Sequence, residues 1–189
     1  GDEKKIIPID VYCGVDPASS LSARADFFVV ATIGVDNDNN KYIIDIYRNR
    51  ISPAQQPQIL IDTYKKYKPR RMKVETVGYQ EALRVAVRDL MREEELYIPG
   101  LESGVKPRNS KSERLLSLVP LFAKKQFHFR PQDIEPQQEF LSYPKGKHDD
   151  VMDAVWTALD GVKPCRLKSF DPDAEEKTFS KKILDWMTM

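Results

Sequence analysis

Three acidic positions sit where ordinary folding gives an acid little reason to be. Asp16 closes the apolar run Val11-Tyr12-Cys13-Gly14-Val15-Asp16. Glu75 lies inside the apolar-flanked stretch Val74-Glu75-Thr76-Val77. Asp149, Asp150 and Asp153 open the last strongly patterned segment of the chain. A carboxylate on a buried strand is costly unless it is paired or holds a metal. Magnesium takes a few carboxylates together with water and phosphate oxygens. Two such ions about 4 Å apart can activate an attacking water and stabilise the leaving oxygen of a phosphodiester. Each position also has a plainer explanation. Asp16 would serve as a turn residue, Glu75 as the partner of an exposed Lys or Arg, and Asp149 and Asp150 as acids in the first turn of a helix. Occurring together, in this order, the acids favour a metal site.

The pattern of the chain says which elements must bring them together. Val11 to Asp16 reads as a strand, broken by Pro17-Ala18-Ser19-Ser20. Phe27 to Val35 is rich in β-branched residues and predicts a buried strand. The turn cluster Asp36 to Asn40 joins it to a returning strand over Lys41 to Arg50. A helix follows from Pro53 to Tyr67, then a fourth strand from Met72 to Val77, then a helix from Gln80 to Glu94. Leu96 to Leu101 reads as a fifth, short strand. Beyond the loop Gly104 to Ser110, Ser112 to Ala123 has a helical pattern with a kink at Pro120. Phe127 to Phe129 suggests a short strand, and Ile134 to Leu141 a short helix.

Asp149 to Leu159 predicts a strong amphipathic helix. At about 100° per residue, Val151, Val155, Ala158, Leu159 and Val162 form its buried stripe, and Asp149, Asp150 and Asp153 share an arc on the other side. Three antiparallel strands followed by helix-crossed parallel ones make an α/β fold, a mixed sheet with helices on both faces. That is the ribonuclease H-like order. We read one domain over residues 1–165 and a tail over 166–189, helical at its end.

Composition bounds the alternatives. The chain has 189 residues, enough to bury a sizeable core in one domain. No apolar run approaches the roughly 18 residues of a membrane span, and the start lacks the apolar stretch of a signal peptide. Gly1 in place of Met points to a longer natural protein. Cys13 and Cys165 form no CxxC or Cys/His cluster, so zinc is not expected. The net charge of +1 means that any nucleic-acid surface must come from local clustering.

Four segments together resemble the nuclease domains of phage terminase large subunits. They are Gly14-Val15-Asp16-Pro17-Ala18, Val74 through Gln80, Lys111-Ser112-Glu113-Arg114 through Phe122, and His148-Asp149-Asp150-Val151-Met152-Asp153-Ala154. The last is the most specific, and the likeness spans about residues 10–162. The resemblance implies a ribonuclease H-like fold related to Holliday junction resolvases. It also implies magnesium- or manganese-dependent cleavage of concatemeric viral DNA during packaging, in the cytoplasm of the infected host. It assigns Asp16, Glu75 and Asp150 as catalytic metal ligands, with Asp149 and Asp153 as further candidates. It implies double-stranded DNA as substrate, and an N-terminal motor ATPase, a portal and a small terminase subunit as partners of a full-length protein. The chain has no GxxxxGK[ST] phosphate loop, so it is not itself that motor.

A nuclease without strict sequence preference needs phosphate contacts above all. The candidates are Lys106, Arg108, Lys111 and Arg114, followed by Lys145 and Lys147 beside the last acids. Beside the acids, Tyr79 reads as a packing residue ahead of a DNA contact, and His148 as an exposed residue ahead of a helix cap or a proton relay. Three other readings compete. A resolvase-like endonuclease shares the acids but reads branched DNA. An actin-like ATPase would need two domains and glycine-rich loops, for which eight glycines are few. A non-catalytic DNA-binding module would not need acids at all three places.

Overall fold

The computed structural model describes residues 7–18, 27–75, 80–101, 110–146 and 148–163. The expected tail, Lys106, Arg108, Lys147 and Tyr79 lie outside the described residues. Strands β1 (Asp10–Asp16), β2 (Phe28–Val35) and β3 (Lys41–Asn49) form an antiparallel meander. Helix α1 (Gln56–Tyr67) then leads into β4 (Arg71–Val74), which pairs parallel to β1. Helix α2 (Gln80–Glu93), the short helices α3 (Lys111–Leu116) and α4 (Val119–Ala123), strand β5 (Phe127–His128), α5 (Ile134–Ser142) and α6 (Asp150–Leu159) complete the order. The sheet runs β4-β1-β2-β3-β5, with β5 parallel to β3 at the far edge.

Alternation along the strands gives the sheet two covered faces, because successive side chains point to opposite sides. Cys13, Val15, Phe28, Val30, Met72 and Val74 face one way and pack with Leu60, Ile61, Leu83, Val87 and Met91 of α1 and α2. Tyr12, Val29, Ala31 and Ile33 face the other way and pack with Val151, Ala154, Val155 and Ala158 of α6. Each fully buried Leu, Ile, Val or Phe contributes about 1.5–3 kcal/mol relative to exposure, so both layers clamp the strands that carry Asp16 and Glu75.

Two elements differ from expectation. Leu96 to Leu101 is not a strand. Ile98 and Leu101 are buried as a strand's apolar residues would be. Pro99, however, has no N–H to give a ladder, and Gly100 takes φ +86°. A bond from the Met72 N–H to the Pro99 carbonyl ties the segment to β4 (2.8 Å). The helix expected over Ser112 to Ala123 is two helices, broken at Ser117-Leu118. Pro120 lies in the first turn of α4, where its missing N–H costs nothing.

Candidate active site

Helix α6 lies directly against β1, and the sequence makes the approach possible. A β-carbon on Gly14 would fall 2.0 Å from the Ala154 carbonyl oxygen and 2.2 Å from the Ala158 nitrogen. Glycine below and alanines one turn apart above let the two backbones touch. By alternation, Asp16 shares the α6-facing side of β1 with Tyr12 and Gly14. The Glu75 N–H donates to the Val15 carbonyl (3.3 Å), continuing the β1–β4 pairing and setting Glu75 beside the end of β1. At the other end of α6, Lys73 donates to the Asp160 carbonyl (3.1 Å), a cation on the negative end of the helix. The N-terminal turn of α6 therefore lies over the carboxyl ends of β1 and β4.

That turn is capped from outside. Asp149 holds the N-cap position, but its side chain makes no cap hydrogen bond. Buried Glu139 of α5 accepts from the Met152 N–H instead (3.0 Å), satisfying one of the orphan donors of the first turn. Asp149 is thereby left to Lys111, whose Nζ lies 2.8 Å from Asp149 Oδ1 and 2.6 Å from Asp153 Oδ2. Arg114 NH1 donates to Glu75 Oε1 (3.1 Å), NH2 stands 3.9 Å from Asp153 Oδ1, and the guanidinium lies 4.8 Å from the Trp156 ring centroid. Lys111 and Arg114 share one side of α3 at a spacing of three residues. A capping box between Ser110 and Glu113 fixes the start of that helix.

The acids act on one another's charge. Burial pushes the Asp16 carboxyl well above the usual carboxylate range, and Asp153, Asp150 and Glu75 push it further, while Lys111 opposes them. Burial likewise raises Asp153 against the opposing pull of Lys111 and Arg114. The expected acids Asp16, Glu75, Asp150 and Asp153 thus come from β1, the end of β4 and α6 into one field, and Asp149 joins it through Lys111. Asp150 and Asp153 are each only 5% exposed, so α6 is buried on its acidic side as well as its apolar one.

Lys111 and Arg114 differ from the reading that gave them to DNA phosphates. Both turn toward the acids, and Arg114 is 7% exposed. The reason is charge: a cluster of buried carboxylates draws the nearest cations inward. Lys145 is exposed, as a phosphate contact needs. Sequence reasoning also missed a rim beside Asp150. His148 Nδ1 stands 3.7 Å from Asp150 Oδ2. The His148 ring meets Phe27 edge-on, and the Arg48 and Arg50 guanidinium carbons lie 3.9 and 4.1 Å from the Phe27 ring centroid. The Ser110-x-x-Glu113 box was a readable signal for the start of α3; the rim, built from residues far apart in the chain, had none.

Among the described residues, no three His, Cys, Asp or Glu side chains are already drawn into one chelating set; Lys111 and Arg114 hold the acids. The donor set nonetheless fits a hard divalent cation. It is all carboxylate oxygen. Burial, and then the repulsion of Asp153, Asp150 and Glu75 that such an ion would relieve, raise the Asp16 carboxyl, and the buried Asp153 Oδ1 accepts no hydrogen bond among the described residues.

Solved structures share this architecture. The large terminase nuclease of thermophilic phage G20c with bound magnesium is 20% identical, with 82% of each chain covered and a TM-score of 0.59. The P22 large terminase nuclease domain is 17% identical over 79% of each chain, also with a TM-score of 0.59. The yeast mitochondrial Holliday junction resolvase Ydc2 is 16% identical, covering 82% of this chain and 78% of its own, with a TM-score of 0.51. These likenesses bear out the expected ribonuclease H-like fold. No curated protein sequence is similar enough to count as a match. A family model, the terminase RNaseH-like domain, matches residues 13–160, which take in every acid of the site; the chain belongs to that family.

Proposed function

We propose that this chain is a divalent-metal-dependent DNA endonuclease domain that cuts concatemeric viral DNA during genome packaging, in the cytoplasm of the infected host. The observation that carries the reading is the raised Asp16 carboxyl. Its causes, after burial, are Asp153 and Asp150 of α6 and Glu75 at the end of β4, so that with Asp16 of β1 the acids come from three elements. Family membership supports a packaging context, and the G20c nuclease, crystallised with magnesium, zinc and cobalt, supports a divalent ion.

Asp16, Glu75 and Asp150 would hold the metal, magnesium or manganese in a two-ion site, with Asp153 and Asp149 as further ligands. When bound, such ions supply positive charge to the phosphate and lower the pKa of the attacking water. The chain's own residues do the rest. Arg114 holds the Glu75 carboxylate in one orientation. Glu139 keeps the α6 amide end satisfied, so that Asp149 and Asp150 remain directed to the site. Lys106, Arg108, Lys145 and Lys147 are the proposed phosphate contacts, and double-stranded DNA the substrate. In a longer protein, an N-terminal ATPase, a portal and a small terminase subunit would be its partners. Among the described residues no helix is long and apolar enough to cross a membrane.

The test is plasmid cleavage. Nicking with magnesium or manganese that stops in EDTA, with no response to ATP, is the expected result. Undiminished cutting in EDTA overturns the reading, and a strong preference for four-way junctions over linear duplex turns it toward a resolvase.

A further inference from the structure

We propose that Lys111 is the resident counter-cation of the acidic centre and sets how tightly that centre takes a divalent ion. The inference rests on the metal reading above. The Lys111 ammonium bridges Asp149 and Asp153, two acids one turn apart on α6, at 2.8 and 2.6 Å. It therefore neutralises part of the charge that burial concentrates there.

The two cations of the site are built differently. Arg114 has an 8% exposed side chain and is fixed by Glu75 and the Trp156 ring, so it cannot leave without stranding a buried charge. The Lys111 side chain is 43% exposed. Its root is anchored at the first position of α3 by the Ser110–Glu113 box, while its flexible four-carbon stem lets the ammonium withdraw into water. One cation is permanent and the other removable.

An ion on the unpartnered Asp153 Oδ1 would face the Lys111 ammonium on Oδ2 of the same carboxylate, and two positive charges so close repel each other. Lys111 thus acts as a positioning residue. It holds the α6 acids in the metal-free domain and weakens metal binding by keeping a positive charge on the same carboxylates. Once displaced, it remains at the mouth of the site, on a helix end from which it can meet a phosphate.

The experiment compares the wild-type chain with Lys111→Met, Lys111→Gln and Lys111→Arg. Manganese is titrated calorimetrically without DNA, and melting is followed in EDTA. Lys111→Met keeps the stem and removes the charge; Lys111→Gln is the second uncharged variant should the first not fold. Both uncharged variants are expected to bind manganese about tenfold more tightly and to melt at lower temperature in EDTA, with Lys111→Arg within about threefold of wild type. A merely structural lysine would lower the melting temperature without tightening the metal. Equal or weaker manganese binding in the uncharged variants, alongside clear binding by wild type, overturns this inference alone. No binding by any of the four proteins overturns the metal reading and this inference with it.

Discussion

Gly14 of β1 and Ala158 of α6 meet backbone to backbone, with 2.2 Å between the place a Gly14 β-carbon would occupy and the Ala158 nitrogen. Neither that atom nor the Ala154 carbonyl oxygen at 2.0 Å is the yielding end of a flexible side chain. Gly14→Ala should therefore push α6 off the sheet and lower the unfolding free energy by about 3 kcal/mol or more, at the upper end of overpacking costs. Chemical denaturation measures it. A variant as stable as wild type would show that α6 can slide, and that the acids are not held by this contact.

Glu75 should behave unlike the other acids. Its side chain and that of Arg114 are 11% and 8% exposed, and they pair at 3.1 Å. Glu75→Ala leaves a buried guanidinium without its partner and should cost about 3–5 kcal/mol. Glu75→Gln keeps an acceptor for Arg114 and should fold nearly as well, yet fail to cut. Melting curves and a nicking assay on the pair separate the structural from the catalytic loss.

Asp16 gives a pH signature. Its proton is held more tightly in the folded protein than in the unfolded chain, so the metal-free fold is favoured below the ordinary carboxylate value of 3.8 and loses that contribution as pH rises above it. Asp153 shifts in the same direction and adds to the slope. Asp16→Asn should remove its share. The variant should melt higher than wild type in EDTA, by a gap that widens as pH rises above the ordinary carboxylate value of 3.8, and should be inactive. Magnesium should close the gap by stabilising only the wild type. A constant gap across pH would disconnect Asp16 from the other acids.

On α6, Asp150→Asn is expected to abolish cleavage and Asp149→Asn to impair it strongly. Asp149→Asn also removes one of the two acids that Lys111 bridges. Normal cutting by Asp150→Asn with a dead Asp153→Asn would move the third ligand by one helical turn.

DNA affinity should depend on Lys106, Arg108, Lys145 and Lys147, and Arg114 should contribute none of it directly, being buried against Glu75. Replacing the four by Ala should flatten the salt dependence of binding by about 0.9 in log–log slope for each phosphate no longer neutralised. Filter binding across a salt series reads it; an unchanged slope would place the DNA path elsewhere, with the Phe27–Arg48–Arg50 rim the next surface to test.

The β1–β3 meander was legible in the sequence because strand alternation and the Asp36–Asn40 turn are local signals. The acids were legible because a carboxylate among buried neighbours needs a reason. Leu96 to Leu101 misled because apolar burial does not require a ladder, and Pro99 and Gly100 break one. The inward turn of Lys111 and Arg114 was hidden, since whether a basic residue faces solvent or a buried acid depends on what a distant helix brings to it. Glu139 was hidden for the same reason: it caps a helix from a neighbouring one, in place of the aspartate at the cap position itself.

The direct seating of α6 on β1 works as a gauge. With no side chain between the Gly14 and Ala154–Ala158 backbones, the spacing of the two main chains that carry Asp16 and Asp150 has no shim whose thickness substitution could alter. The spacing can be lost, as Gly14→Ala would lose it, but not finely adjusted. What remains adjustable is reach: exchanging Asp for Glu moves a carboxylate by one methylene while its root stays fixed. Attempts to retune this centre for an ion of another radius should therefore succeed by changing the length of the acids, and fail by repacking the layer beneath them.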